Sequence, residues 1–353
     1  MANAYVNAST IDLMAIAAAA ARYRVEAICT AATDQPLVAI ARATAACGLP
    51  GISEETALVA TRKDLMREAF RRGGVPCPPS FPVTDLRDCE EAWEALSKPA
   101  ILKPADSSGS RGVTLLRKRF ELPAALAHAL AFSRVKRAVL EEFVEGREFS
   151  VETLSVRGEL HVLQITEKET TGPPHFVESG HSQPAEVTPE ERRAIVEATR
   201  TAAAALGIET GPTHTELMLT PRGPMLIEVG ARLGGDYITS DLVPLSTGID
   251  MVALTLDLAL GAEVDIPFSS GSGSAIRYFY PKMGRVLAVE GVEECSRLEG
   301  VVRVEIFKGP GQEIVPVTGS HERAGYAIAQ AASASEAIRI AEACRERVRF
   351  IVE

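Results

Sequence analysis

The chain has 353 residues, 46% of them apolar, which is long enough for two or three domains with a sizeable core. Its net charge of −10, without a basic stripe, argues against nucleic acid as the main partner. Six cysteines (29, 47, 77, 89, 295 and 344) lack CxxC spacing, which suits reduced thiols and neither a disulfide framework nor a zinc site.

The first residues carry no basic leader pattern, and the Ala-rich run at 14–21 is too short to span a bilayer. A cytoplasmic protein with no membrane association is therefore expected. Residues 11–23 and 36–47 read as helices around a short strand, Val25–Thr30, in the βα alternation of a parallel sheet. Thr61 to Arg72 reads as a helix stopped by Gly73-Gly74. Strands are predicted near 99–103, 113–116, 138–144, 149–155, 162–167, 213–219, 225–229, 274–280, 301–307 and 325–330. Helices are predicted at 88–97, 121–132, 188–206, 247–260 and 334–348. A Gly/Ser-rich change of composition at 261–273 marks a boundary before a C-terminal unit. The expected class is mixed α/β and α+β, in three parts.

The strongest chemical signal is a hairpin: His214–Thr220, a short turn Pro221-Arg-Gly223, then Pro224–Gly230. If Thr220 pairs with Pro224, Glu216 stands directly opposite Glu228. Like charges so placed destabilise a sheet, with Cβ atoms roughly 4.5–5.5 Å apart. A cation between them relieves this, and oxygen-only ligation favours Mg²⁺ or Mn²⁺ over Zn²⁺. The competing reading is an exposed strand face with a tolerated Glu pair.

The common phosphate motifs GxxxxGK[ST] and GxGxxG are both absent. Instead, Lys103 interrupts the apolar run Ala100-Ile-Leu, and Asp106-Ser-Ser-Gly-Ser-Arg-Gly-Val113 follows. Small residues there allow backbone N–H groups to converge on an anion, although a snorkelling lysine beside an ordinary loop reads the same way. Next comes an apolar strand entering an acidic turn, Val139-Leu-Glu141-Glu142-Phe143-Val144-Glu145-Gly146-Arg147-Glu148.

In this order, Lys63, Lys103 with its Ser/Gly loop, Glu141-Glu-Phe-Val144, Glu148, Glu216 and Glu228…Arg232 resemble the ATP-grasp superfamily. Glu178-Ser-Gly-His181, Gly211-Pro-Thr-His214-Thr-Glu216 and Glu228-Val-Gly-Ala-Arg232-Leu-Gly234-Gly235 resemble carboxylate–amine ligases of the L-amino acid ligase (dipeptide synthetase) type. The resemblance implies two α+β lobes gripping ATP over residues 63–262. A partial N-terminal αβ domain would occupy 1–62, and a small C-terminal α+β packing or lid domain 263–353.

It further implies that Lys63 and Lys103 hold ATP phosphates, under a mobile loop of Ser107, Ser108, Gly109, Ser110 and Gly112. Glu141 and Val144, with Glu142 and Phe143 between them, would bind the adenine edge, Glu148 the ribose and Met218 the adenine face. Glu216 and Glu228 would hold two Mg²⁺ (or Mn²⁺) ions. Arg232 would meet the substrate carboxylate or acyl phosphate, as could Arg277, for which a salt-paired role is equally open. Glu178, His181, Gly234 and Gly235 would line the amino-acid pocket. Small-molecule carboxylate and amine partners are implied, and dimers are common in the family. A bicarbonate-phosphorylating enzyme and an ATP-binding module without turnover stay open as alternatives.

Two features depart from the pattern. Many ATP-grasp enzymes have Asn two residues after the second metal Glu, where this chain has Gly230. In addition, Ala2–Asn7 resembles the third strand of the usual first domain, so roughly 40–70 residues are expected before it. Either the start lies further upstream or that domain is reduced.

Overall fold

A computed structural model of the chain describes residues 4–266 and 271–353. The N-terminal part is helical: α1 (Leu13–Tyr23), α2 (Leu37–Cys47), α3 (Glu54–Thr61) and α4 (Lys63–Gly73). Asp12 caps α1 by accepting from the N–H groups of Met14 and Ala15. Arg62 is extended at φ −125°, which splits the stretch around residue 61 into two helices where the sequence suggests one. The predicted stop holds, with Gly74 closing α4 at φ +67°.

The strand expected at Val25–Thr30 does not form. A strand needs a neighbour on which to pair its backbone. Here the only parallel contact among the described residues is a single bridge from Ala31 to Leu233. Residues 4–7 are likewise unpaired, and residues 2 and 3 of that predicted strand lie outside the described residues.

Beyond α4 the chain builds two sheets that face one cavity. The first has four strands in the order β1-β4-β2-β3: β1 (Ser80–Val83), β2 (Ala100–Pro104), β3 (Thr114–Leu116) and β4 (Ala138–Glu142). Helices α5 (Leu86–Ala95) and α6 (Leu122–Phe132) share its core, which buries Val83, Trp93, Leu102, Leu116 and Leu140.

The second sheet is antiparallel and eight-stranded, in the order β12-β14-β10-β7-β6-β5-β8-β9. Its strands are β5 (Arg147–Val156), β6 (Glu159–Thr170), β7 (Glu178–Gln183), β8 (Gly211–Thr220), β9 (Gly223–Gly230), β10 (Gly273–Tyr278), β12 (Val301–Ile306) and β14 (Gly325–Ala331). Phe149, Ile165, Leu217 and Val229 on one face of this sheet pack with Phe70 of α4 and Ile195 of α7 (Pro189–Ala205). Burial of such side chains contributes about 1.5–3 kcal/mol each.

Strand β7 has no counterpart among the strands expected from sequence, because Glu178-Ser-Gly-His-Ser-Gln183 has no apolar alternation. It is paired on both sides, by β6 and β10. Through that pairing the sheet runs on across residue 262, where the sequence suggests a third unit.

Met251–Ala259 forms α9 with Asp250 as its cap, preceded by a π-helical turn at Ile238–Leu242 and by α8 (Val243–Thr247). The C-terminal part adds a three-stranded sheet, β13-β11-β15, made of Glu313–Ile314, Gly284–Glu290 and Arg349–Val352, with α10 (Val292–Ser296) and α11 (Ala334–Arg347). Among the described residues no single helix is long and apolar enough to cross a membrane.

Candidate functional site

The β8–β9 hairpin does set Glu216 opposite Glu228, by a different route from the one the sequence suggests. Thr220 pairs with Gly223, so the turn is Pro221-Arg222, one residue shorter than expected. Gly223 adopts φ +97° there, and the Thr220 hydroxyl donates to the Gly223 carbonyl at 2.9 Å. Taken alone, that turn would shift the two acids out of register. A β-bulge at Ile227, between the Glu216 and Leu217 pairings, restores it.

Both acids line a cavity of about 630 Å³ between the two sheets. Its apolar lining residues include Ile101, Leu115, Phe143, Val144, Met218 and Ile227. Lys63, Lys103, Glu148, Lys168 and the loop Ser107–Arg111 also line it. In that loop Gly109 and Ser110 are left-handed, at φ +65° and +55°. Gly112 sits at φ +78°, and a Cβ there would lie 2.7 Å from Pro104 Cγ and 2.8 Å from Phe132 Cβ, so only glycine fits.

Two buried charge clusters order this cavity. In the first, Glu141 faces inward from β4, with Arg67 Nη2 at 2.9 Å and the Lys103 ammonium in contact. Burial alone would push the Glu141 carboxyl up. Arg67 and Lys103 overcome this and hold it down to about 2. Arg67 also donates to the Ile227 carbonyl at 2.8 Å, so one side chain ties α4 to both sheets. The sequence reading places Glu141 through its backbone and does not identify Arg67. The signal was present, since Arg67 follows Lys63 by four residues and so shares its helix face.

The second cluster surrounds Glu216. Lys168 Nζ lies 2.8 Å from Glu216 Oε1, 2.8 Å from Glu148 Oε1 and 3.8 Å from Glu178 Oε1. Burial opposes its charge, yet these three carboxylates raise its pKa well above the usual lysine value. His214 stands two residues from Glu216 on the same strand face, with Nε2 3.4 Å from Glu216 Oε1 and Nδ1 2.8 Å from Glu152 Oε1. Burial disfavours the imidazolium, but the Glu152 carboxylate raises its pKa to about 9. Burial would likewise raise Glu216, and Lys168 and His214 instead hold it well below the carboxylate range. Glu228 has a lysine of its own, with Lys63 Nζ at 2.8 Å and the Ser107 carbonyl accepting from the same ammonium at 2.7 Å. Nothing in the sequence singles out Lys168 or Glu152, because a charge within an alternating strand looks like a solvated face.

Not every expected residue reaches this cavity. Arg232 is gripped by Asp34, through Nε at 2.9 Å and Nη2 at 3.3 Å, and lines a smaller cavity of about 80 Å³. This pair accounts for Gly230: a Cβ there would stand 2.9 Å from Asp34 Oδ1 and 3.1 Å from Arg232 Cζ. Gly234 plays the same part nearby, since its Cβ would meet His214 Nδ1 at 2.8 Å and Glu152 Oε2 at 2.9 Å. Gly235 lies against Ala32.

Glu178 lines the large cavity, whereas His181 is buried behind it, with Nε2 3.4 Å from Asp236. Asp236 in turn takes a bidentate contact from Arg323, at 2.7 and 2.8 Å. Of the two roles left open for Arg277, the structure displays the salt-paired one. Its Nε lies 2.7 Å from Glu342 and 3.3 Å from Glu169, and it does not line the cavity. A Cβ on Gly180 would stand 2.6 Å from Arg277 Nη1, which explains the glycine in Glu178-Ser-Gly-His181.

Residues 96–241 match the ATP-grasp domain, and residues 277–353 match the L-amino acid ligase C-terminal domain 2. The chain thus carries an ATP-grasp domain. This ATP-grasp chain is 29% identical to the uncharacterized protein y4rH of Sinorhizobium fredii, over 86% of its own length and 64% of the relative's. It is 31% identical to an alanine–anticapsin ligase of Bacillus subtilis, over 65% of this chain and 53% of that one. The crystal structure of an L-amino acid ligase from Bacillus licheniformis superposes with a TM-score of 0.82 at 28% identity, covering 97% of this chain and 84% of that one. The chain thus spans between half and two thirds of the length of these two curated relatives.

Proposed function

We propose that this ATP-grasp protein is an ATP-dependent carboxylate–amine ligase that joins amino acids through an acyl phosphate. The observation that carries this reading is the meeting of Glu216 and Glu228 with Lys63 and Lys168 in one cavity that is also lined by Ile101, Leu115, Phe143, Val144 and Met218. The names of the alanine–anticapsin ligase and L-amino acid ligase relatives support the substrate class.

The residues divide the work as follows. Ile101, Phe143, Val144, Met218 and Ile227 enclose the adenine, with Glu142 near its edge and Glu148 on the ribose hydroxyls. Lys63, Lys103 and the 107–112 loop hold the phosphates in line, since phosphoryl transfer needs charge neutralisation and positioning more than covalent help. The donor set fits Mg²⁺, which is commonly bound by one or two carboxylates together with waters and phosphate oxygens. Among the described residues no cluster of three or more His, Cys, Asp or Glu forms a closed metal cage. A divalent cation on Glu216 and Glu228 would supply charge neutralisation at the transferring phosphate.

A substrate carboxylate oxygen attacks the γ-phosphorus and the bond to ADP breaks. The amine nitrogen then attacks the acyl carbon, phosphate leaves, and the nitrogen gives up a proton. Arg232 lies outside this cavity with Nε and Nη2 on Asp34 and Nη1 on the Leu233 carbonyl, so its part is positive charge behind Glu216 and Glu228 and not a direct grip on the substrate. Glu178 lines the large cavity with Glu216 and Glu228 and suits the substrate's ammonium group.

With ATP and Mg²⁺, pairs drawn from the common amino acids should stimulate ADP and phosphate release above the rate with ATP alone. Stimulation by bicarbonate instead, or ATP binding with no turnover in any arm, would overturn this reading.

A further inference from the structure

Lys168 has no task in the reaction above. Its side chain is only 4% exposed, and its ammonium is 2.8 Å from both Glu216 and Glu148, with Glu178 a further ångström away. Glu228 is matched in the same manner by Lys63. Each of the two carboxylates read as metal ligands therefore has its own lysine, carried on a different element. An ammonium and a divalent cation seek the same oxygen on Glu216, and at contact distance the two cations repel. Lys168, however, need not be left unpaired when it releases Glu216, because Glu148 and Glu178 flank it.

We propose that Lys168 is a positioning residue that competes with the metal for Glu216, so that metal and nucleotide bind with positive coupling. A nucleotide brings phosphate oxygens within reach of the ammonium, and its ribose hydroxyls compete for Glu148. Both effects draw Lys168 off Glu216 and open that carboxylate to the cation. By linkage the cation strengthens nucleotide binding by the same factor. The inference rests on the reading of Glu216 and Glu228 as the metal carboxylates.

The test titrates Mn²⁺ into the full chain, with and without a non-hydrolysable ATP analogue, and follows free Mn²⁺ by electron paramagnetic resonance. The wild type should bind Mn²⁺ weakly alone and more tightly with the analogue. Lys168→Met should bind Mn²⁺ alone at least about ten-fold more tightly, the size of one partly buried charge contact, and should lose most of the analogue's effect. The double variant Lys168→Met/Glu148→Gln keeps the local net charge, separating competition for Glu216 from a general change of field. It should show the same tightening, and it carries the test if the single variant does not fold. Lys168→Arg should behave as the wild type. Folded variants that bind Mn²⁺ alone no more tightly than the wild type would overturn the inference while leaving the metal reading intact. No saturable Mn²⁺ binding by the wild type, even with the analogue, would overturn both.

Discussion

Glu228→Gln is expected to lower ATP turnover at least about a hundredfold while the protein stays folded. The reason lies in what the carboxylate faces. Metal coordination stabilises developing charge by several kcal/mol, and each 1.36 kcal/mol is about ten-fold in rate. Glutamine keeps the size of the side chain and a carbonyl oxygen that still accepts from Lys63 at the position where Glu228 accepts now, at 2.8 Å. Packing in the β8–β9 hairpin is therefore preserved, and far-UV circular dichroism should not change. Comparing ADP release at saturating ATP and Mg²⁺ in the two proteins makes the measurement. Unchanged turnover would show that the opposed pair is structural.

Glu141→Gln should act on stability instead, costing about 3–5 kcal/mol in urea denaturation, the usual result of removing one partner from a buried pair. Glu141 is 2% exposed and is the only anion in contact with both Arg67 and Lys103 among the described ion pairs, so its neutralisation leaves two cations facing each other. The pH dependence has a definite sign. The folded carboxyl is held down to about 2, below its ordinary 4.5. Its contribution is thus complete above about pH 4.5 and is lost as pH falls towards 2. Glu142→Gln is the control. Its partner Arg222 is 3.3 Å away on a side chain 62% exposed, and such surface pairs contribute about 0–1 kcal/mol. Equal losses in the two variants would contradict the buried-triad account.

Much of this could be read in the sequence because acids and lysines stand out against apolar strands. Lys103 and Glu216 interrupt strands, and that interruption is what a local reading detects. The opposition of Glu216 and Glu228 matches the expectation, although the register near the turn does not: a turn one residue shorter and a bulge at Ile227 offset each other. Neither is encoded in alternation alone. The unformed strand at Val25–Thr30 shows the limit, since strand formation depends on a neighbour that local composition cannot supply.

Pairing across long separations was hidden for the same reason. Arg67 meets Glu141 across 74 positions, and Arg232 meets Asp34 across 198. Only the folded chain reveals that Gly230, a departure from the usual family pattern, makes room for that second pair.

The most direct measurement follows oxygen atoms. An amino-acid carboxylate labelled with ¹⁸O on both oxygens is supplied with its best amine partner, ATP and Mg²⁺, and the released phosphate is analysed by mass spectrometry. Attack of the carboxylate on the γ-phosphorus, followed by amine displacement, carries one ¹⁸O into each phosphate and leaves one in the amide. Phosphate free of ¹⁸O beside a formed amide would contradict the acyl phosphate and the ligase mechanism built on it.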